Sequence, residues 1–180
     1  MIRIRPARLE DVPLLERIIP ESVRSLSVGF YSPVQIDLAL AHMFGVDTQL
    51  IEDGTYYVAE VDGRVVGCGG WSRRRTLFGG DHWKSEVDTL LDASREAAKI
   101  RAFFVHPDWA RKGIGRRIIE LSEESARMEG FGKLELVATL PGETLYAALG
   151  YSVVERILIS LGMDEGLPAV HMEKPLPVRK

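Results

Sequence analysis

The stretch IRAFFVHPDWARKGIGRRII, residues 100–119, passes from an apolar run into a basic loop and then into a helix-like pattern. Glycine lets a backbone approach a ligand closely, and the first turn of a helix offers unpaired N–H groups at the positive end of the helix dipole. Gly113 and Gly115 lie here among four cationic side chains: Arg111, Lys112, Arg116 and Arg117. The stretch therefore predicts a strand, an anion-binding loop and a helix, in that order.

Two common phosphate motifs do not explain this loop. The pattern G-x-x-x-x-G-K-[ST] is absent from the sequence, and Gly113-Ile114-Gly115 lacks the third glycine of G-x-G-x-x-G because Ile118 stands in its place. A strand followed by a basic G-x-G loop at a helix start suits a pyrophosphate held by backbone N–H groups. The alternative for the two glycines is a helix start that only needs backbone freedom.

Length and composition favour one globular domain over residues 1–180. Hydrophobic residues make up 46% of the chain and charged residues 27%, which is typical of soluble proteins. No apolar run approaches the about 20 residues that a membrane helix needs, and no apolar segment follows the first arginines as it would in a secretory signal. We therefore expect no membrane partner and a cytoplasmic location.

The cysteine and histidine content and the net charge narrow the possible classes of protein further. Cys68 is the single cysteine, which excludes an internal disulfide, and the four histidines show no zinc-ligand spacing, so no metal site is expected. A formal net charge of -3 argues against a nucleic-acid partner. Nucleic-acid binding through Arg73–Arg75 and the basic loop remains a weaker third interpretation.

Local patterns predict the elements of the first half of the chain. Ser32 and Gln35 form a capping box at the start of a helix, and Asp62-Gly63 is a preferred two-residue hairpin turn. A poorly patterned connection follows, and such long connections are usually functional. The predicted elements are a strand at 2–5, a helix from about Asp11 that Pro20 interrupts, a helix at 32–45, a hairpin at 55–71 and an irregular stretch at 73–98.

The second half alternates strands and helices before closing with two strands. Its predicted elements are strands at 99–105, 133–139, 151–161 and 169–175, with helices at about 113–129 and 142–149. A strand, helix, strand order requires one parallel crossover in an otherwise antiparallel sheet. The fold class is therefore mixed α/β.

This order of elements, together with FFVHPDWARKGIGRRII at 103–119 and LYAALGY at 145–151, resembles the GCN5-related N-acetyltransferases, the GNAT superfamily. The resemblance covers nearly the whole chain and is specific at residues 100–151. It implies a mainly antiparallel twisted sheet, with one parallel strand pair splayed around the cofactor and helices on both faces. It also implies acetyl-CoA as co-substrate and transfer of the acetyl group to an amine of a small molecule or a peptide.

The resemblance also assigns the cofactor-binding residues. The family signature is [Q/R]-x-x-G-x-[G/A], and here Ala110 stands at its first position, which removes one side-chain contact but leaves the backbone donors. The pantetheine arm is expected to pair with the backbone of the preceding strand. The predicted cofactor-binding residues are Phe103, Phe104, Val105, Arg111, Lys112, Gly113, Ile114, Gly115 and Arg116.

Two catalytic groups are expected. By resemblance, Tyr146 protonates the departing CoA thiolate, since it lies four residues before Gly150 in LYAALGY. The acceptor is expected beside the N-terminal half of strand 99–105, close to the irregular stretch, where a carboxylate or histidine acts as general base. Glu86 is the first choice for that base. Trp71, His82, Trp83 and Asp88 are further acceptor-site candidates, whereas His42 and His171 have no distinctive context and receive no role.

The leading interpretation is an N-acetyltransferase in which the amine attacks acetyl-CoA directly within a ternary complex. The alternative is a CoA-binding module without turnover, with a sensory or regulatory role, since Ala110 departs from the signature and no base is obvious. Acidic residues of the irregular stretch suit a cationic acceptor, whereas Arg73–Arg75 suits an anionic one, so the acceptor stays open. The exposed final strands suggest pairing with a second copy of the chain.

Overall fold

A computed structural model describes residues 1–84 and 87–177. Its described part contains one seven-stranded sheet in the order β1-β2-β3-β4-β5-β7-β6, and every neighbouring pair is antiparallel except β4 and β5. This arrangement confirms the predicted mixed α/β class. The strands are β1 (Ile2–Pro6), β2 (Tyr56–Val61), β3 (Arg64–Ser72), β4 (Ala98–Val105), β5 (Lys133–Thr139), β6 (Ser152–Gly162) and β7 (Glu165–Pro175).

Helices cover both faces of the sheet, as expected. One core lies under α1, α2 and α3, and a second lies under α4 and α5. None of the helices in the described ranges is long and apolar enough to cross a membrane. The helices are α1 (Val12–Leu26), α2 (Pro33–His42), α3 (Thr48–Glu52), α4 (Ile114–Met128) and α5 (Glu143–Ala148).

The first helix corrects the sequence prediction. Pro20 was expected to interrupt it, but α1 continues through Pro20 to Leu26. Proline removes one helix hydrogen bond, yet Ile19 and Val23, on either side of it, are both buried in the core. Packing of this apolar face therefore keeps both halves of the helix in line. The short helix α3 was not predicted at all.

Local turn and cap chemistry accounts for the elements that the sequence predicted well. Asp62 and Gly63 both have positive φ, 49° and 78°, as a two-residue hairpin turn with the correct twist requires. At the start of α2, the Ser32 hydroxyl accepts a hydrogen bond from the backbone N–H of Gln35 at 3.1 Å. The side-chain oxygen of Gln35 in turn accepts one from the backbone N–H of Ser32 at 2.9 Å. Both predictions are confirmed.

The parallel strands β4 and β5 separate soon after they begin. Among the described residues they share two pairs only, Ala98 with Leu134 and Lys99 with Glu135. Further along β4 the register with β3 shifts, and Ala102 takes a φ of 57° at this bulge. The Tyr56 hydroxyl donates to the Ala102 carbonyl at 2.7 Å. A cleft therefore opens between β4 and β5, which agrees with the predicted splayed pair.

Ion pairs hold the stretch between β3 and β4 in place, two of them with residues elsewhere in the fold and one within the stretch itself. Arg73 pairs with Glu129, Arg74 with Asp53, and Arg75 with Glu96, at 2.5, 2.7 and 2.5 Å. These carboxylates neutralise the first basic run, so it offers little charge to an anionic acceptor or a nucleic acid. The anionic acceptor and the nucleic-acid partner therefore both lose the support that Arg73–Arg75 gave them.

The final hairpin forms the far edge of the sheet. The last strand, β7, begins at Glu165, four residues before the predicted start at 169, and pairs with β5 on one side and β6 on the other. On the edge strand β6, Val154 and Leu158 are exposed. Pairing of this edge with a second copy remains a prediction.

Candidate active site

The loop between β4 and α4 presents unpaired backbone donors. Arg111 and Gly113 have φ of 60° and 82°, and Gly113 caps α4 without any side-chain hydrogen bond to the first turn. The first N–H groups of an α-helix have no partner within the helix. The amides of Ile114, Gly115 and Arg116 are therefore free to bind an anion at the positive end of a 15-residue helix.

The cations of this loop are less engaged than those of the first basic run. Arg111 and Arg117 have no carboxylate within ion-pair distance in the described part of the chain, and both are exposed. Lys112 places its Nζ 4.5 Å from the centre of the Trp109 ring, and Arg116 lies 3.9 Å from Glu120 on the next turn. The available positive charge of the two runs therefore lies in this loop.

The two glycines serve different purposes. A Cβ on Gly113 would meet no atom within 4 Å, so its positive φ is what favours glycine there. A Cβ on Gly115 would lie 3.1 Å from Leu145 Cδ2, so glycine at this position lets α4 pack closely against α5. Ile114 is 1% exposed and belongs to the core. Its predicted contact with a cofactor is therefore restricted to its backbone.

The end of β4 lines the cleft with half-buried side chains. Phe103 meets the Tyr146 ring edge-on at 6.4 Å, whereas Phe104 meets Phe44 at 5.9 Å on the other face of the sheet. The Val105 N–H already donates to the Ser22 hydroxyl of α1 at 3.2 Å. A backbone contact from this position to a cofactor therefore has to use the Val105 carbonyl.

Tyr146 lies at the other side of the cleft, on α5. Its ring packs edge-on against Phe103 and Tyr151, the latter at 5.7 Å. Within residues 1–84 and 87–177 its hydroxyl has no hydrogen-bond partner. Burial raises the pKa of the Tyr146 phenol above its usual value, so the group stays protonated at neutral pH. It is a neutral donor with its proton available.

The predicted acceptor-site residues do not converge on one point. Trp71 is fully buried against Phe131, His82 is exposed and lies over Gly45, and Trp83 packs on Phe78. The Asp88 side chain accepts the Thr76 N–H at 2.8 Å and is thus a loop-forming group. Glu86, the first choice for the general base, lies outside the described residues.

A buried ion-pair network was missed by the sequence analysis. The Arg101 guanidinium donates to Asp47 at 2.7 Å and to the carbonyls of Thr76 and Gly79, and Lys84 contacts the second oxygen of Asp47 at 2.7 Å. Burial lowers the pKa of Arg101 from its ordinary value. The sequence feature that indicates such a network is the single arginine, Arg101, inside the apolar run IRAFFV.

A second polar cluster, also missed, lies where β4 and β5 part. The Lys99 ammonium pairs with Glu135, and the other oxygen of Glu135 lies 2.8 Å from His171 Nε2. Donor atoms of Glu135, His171 and Glu173 lie within 4.8 Å of one another, a spacing that a metal ion accepts. Three different strands supply this cluster, so no sequence spacing pointed to it.

Cys68 is fully buried and offers its thiol no route to a substrate. Its Sγ lies 3.7 Å from the Phe104 carbonyl, and burial raises the pKa of the thiol to about 12. A protonated, enclosed thiol is a poor nucleophile. The geometry thus agrees with a structural role for this residue.

The described residues thus form a cleft between two splayed parallel strands, with the unpaired amides of a helix start at its mouth. A family model described as the acetyltransferase (GNAT) domain matches residues 52–153, and the chain belongs to this family. A search of curated proteins found no match.

Solved structures of acetyltransferases share the fold over nearly their whole length. A GCN5-related N-acetyltransferase from Rhodopseudomonas palustris is 22% identical, with a TM-score of 0.72 and coverage of 97% of this chain and 95% of that one. PaiA N-acetyltransferase from Thermoplasma acidophilum, in complex with coenzyme A, is 16% identical, with a TM-score of 0.66 and coverage of 97% of this chain and 99% of that one. YncA from Salmonella typhimurium, a putative acetyltransferase with its cofactor acetyl-CoA, is 20% identical, with a TM-score of 0.65 and coverage of 100% of this chain and 96% of that one.

Proposed function

We propose that this protein is an acetyl-CoA-dependent N-acetyltransferase in which a primary amine attacks the thioester directly within a ternary complex. The observation that carries the proposal is the cleft between β4 and β5, which has the free amides of the α4 start at its mouth and Tyr146 beside it. The coenzyme A and acetyl-CoA in the Thermoplasma and Salmonella structures support the choice of co-substrate. The acceptor is a small-molecule or peptide amine.

Each part of the co-substrate has a partner in this proposal. The amides of Ile114, Gly115 and Arg116 hold the pyrophosphate, with Arg111 and Lys112 supplying positive charge. The pantetheine arm runs along the free edge of β4, past the backbone of Phe103, Phe104 and Val105. Strand edges offer regularly spaced donors and acceptors, which suits the two amides of that arm.

The chemistry follows from these positions. The amine nitrogen forms a bond to the thioester carbonyl carbon, and the carbon–sulfur bond then breaks. The departing thiolate takes a proton from the Tyr146 hydroxyl, which recovers it from solvent. A base removes a proton from the amine, and Glu86 remains the candidate that the sequence suggests for it.

Direct attack is supported by the burial of the single cysteine. We expect Cys68→Ala to retain kcat within about twofold, since the enclosed, protonated thiol takes no part in transfer. Initial rates measured against both substrates should give intersecting double-reciprocal lines. Parallel lines together with loss of activity in Cys68→Ala would indicate an acetyl-cysteine intermediate and contradict direct attack.

The test of the function is acetyl-CoA turnover with a panel of amines. Thiol release is measured with small amines, polyamines, amino acids and peptides that carry a free N-terminus or lysine, and product mass confirms transfer. Amine-dependent release supports the proposal. Saturable acetyl-CoA binding without transfer to any member supports the CoA-binding module that Ala110 suggested.

The basic loop gives a quantitative prediction. We expect Arg111→Ala to raise the Kd for acetyl-CoA about tenfold, or about 1.4 kcal/mol, because it removes an unpaired cation beside the phosphates. Arg75→Ala is the matched control, since Arg75 is already neutralised by Glu96 and its Kd should stay within twofold. Calorimetric titration measures both. Equal effects of the two substitutions would argue against a localised phosphate site.

A further inference from the structure

A lysine side chain crosses the closed end of the cleft. Lys99 and Glu135 form the last β4–β5 pair before the strands separate, and the Lys99 ammonium contacts the Glu135 carboxylate across that pair. Because side chains alternate along a strand, both residues point to the α1–α3 face of the sheet. Their neighbours, which pack in the core under α4 and α5, are Ala98, Ile100, Leu134 and Leu136.

The proposed course of acetyl-CoA brings its thioester towards this ammonium. The pantetheine arm passes Val105, Phe104 and Phe103 from the α4 end of β4, so the thioester comes next, beside the bulge at Ala102. From Ala102 to Lys99 is about 10 Å of strand at the usual rise per residue. The flexible four-carbon stem of a lysine spans much of that length. The cleft therefore holds a primary amine of this chain next to the acetyl group.

The surroundings of Lys99 favour its neutral, nucleophilic form. The residue is 7% exposed, and burial lowers the pKa of its ammonium from the ordinary value, although the charge of Glu96 acts in the opposite sense. Glu135 lies directly against the ammonium, so a proton acceptor is already in place. The other Glu135 oxygen lies 2.8 Å from His171 Nε2, which holds the carboxylate in position.

We propose that Lys99 is a self-acetylation site, which takes the acetyl group from acetyl-CoA bound in the same chain. Glu135 takes one proton from the Lys99 ammonium, and the neutral nitrogen forms its bond to the thioester carbonyl carbon. The carbon–sulfur bond then breaks, and the thiolate takes a proton from the Tyr146 hydroxyl. The second proton of the nitrogen leaves to solvent, from which Tyr146 recovers its own, and Glu135 also releases its proton to solvent. Self-acetylation rests on the acetyl-CoA chemistry proposed above.

The other lysines of the described ranges do not cross the cleft. Their positions are the connection before β4 for Lys84, the basic loop for Lys112, the start of β5 for Lys133 and the end of β7 for Lys174. Lys133 matches Lys99 most closely, because it also pairs with a glutamate of a neighbouring strand, Glu173 at 2.8 Å, but half of its side chain is exposed. Position at the cleft therefore distinguishes Lys99 from a lysine with a similar partner.

Acetylation of Lys99 has a consequence for outside amines. The acetyl group removes the charge of the side chain and breaks its pair with Glu135. The longer, neutral side chain then fills the closed end of the cleft, beside the place where an outside amine approaches the thioester. We therefore expect the self-acetylated protein to be a slower acetyltransferase than the unmodified one.

The experiment incubates the full chain with acetyl-CoA alone and follows its intact mass. We expect a gain of one acetyl group, located on Lys99 by peptide mass spectrometry, with a rate constant that does not change when the protein is diluted. Lys99→Arg keeps a cation on Glu135 and should remove the gain, whereas the matched control Lys133→Arg should keep it. Glu135→Gln and Tyr146→Phe should each slow the gain about tenfold or more.

A second measurement tests the consequence for outside amines. Incubation with acetyl-CoA before the assay should lower kcat/KM of the parent protein for an outside amine about fivefold. Lys99→Arg should give the same value before and after that incubation. Equal losses in the parent protein and Lys99→Arg would contradict a regulatory effect of this lysine.

Contrary outcomes are distinguishable from failure of the proposed function. If the parent protein acetylates outside amines but never Lys99, only self-acetylation is overturned. Acetylation of exposed lysines at a rate that Tyr146→Phe leaves unchanged, or a rate constant that falls on dilution, would also overturn transfer within one chain. A gain on Lys99 without transfer to any outside amine supports self-acetylation and contradicts the proposed function. If acetyl-CoA binds and neither acceptor is acetylated, both fail.

Discussion

Replacing Arg101 by methionine will lower the free energy of unfolding by about 3 kcal/mol. The guanidinium is 1% exposed and donates to the Asp47 carboxylate and to the carbonyls of Thr76 and Gly79. Methionine fills much of the volume but leaves these buried acceptors with fewer donors. Lys84 still contacts Asp47, which keeps the loss at the lower end of the range for broken buried pairs.

Urea unfolding measures this loss, and Arg24→Met is the matched control. Arg24 pairs with Asp37 at 2.7 Å, but both side chains are more than half exposed, so its removal should cost less than 1 kcal/mol. The double variant Arg101→Met, Asp47→Asn should lose less stability than the sum of the two single variants, since both substitutions break the same ion pair. Equal losses for Arg101→Met and Arg24→Met would contradict a buried network.

Local signals explain what the sequence predicted of the fold. The Asp62-Gly63 turn and the Ser32–Gln35 cap depend on residues close together in the chain, so both were readable without the structure. Pro20 shows the limit of such signals. Its local effect on a helix is unfavourable, but the buried residues around it belong to a core that only the assembled sheet creates.

The two basic runs show why the candidate site was only partly predictable. Both look alike in the sequence, yet Arg73 and Arg74 find carboxylates on distant elements, 56 and 21 residues away. The second run, Arg111 to Arg117, lies at a helix start, which is a local signal, and most of its positive charge stays without a carboxylate partner among the described residues. The partners of the first depend on tertiary packing, which composition and spacing do not report.

The same reason explains why the contact between His171 and Glu135 was not predicted. Glu135 lies 36 residues before His171, on a neighbouring strand, and the contact exists only because β5 pairs with β7 rather than with β6. From the sequence, charged residues in strands 133–139 and 169–175 read as the solvent side of a half-buried pattern. Strand order, not strand assignment, brings Glu135 and His171 together.

Replacing Tyr146 by phenylalanine will lower kcat tenfold or more, which corresponds to a loss of about 1.4 kcal/mol of transition-state stabilisation. The substitution keeps the ring that packs on Phe103 and Tyr151 and removes only the hydroxyl, which has no partner among the described residues. Because no structural hydrogen bond is lost, the melting temperature and the Kd for acetyl-CoA should stay unchanged. Thiol release under saturating substrates measures kcat.

Tyr151→Phe separates the proton-donor role from packing. Its hydroxyl lies on the neighbouring ring and donates to the buried Glu123 at 2.9 Å, so its removal should cost about 1 kcal/mol of stability and leave kcat unchanged. The two variants thus exchange effects: Tyr146→Phe loses rate and keeps stability, whereas Tyr151→Phe loses stability and keeps rate. If both lost rate to the same extent, the aromatic packing beside the cleft, and not the phenolic proton of Tyr146, would control the departure of the thiolate.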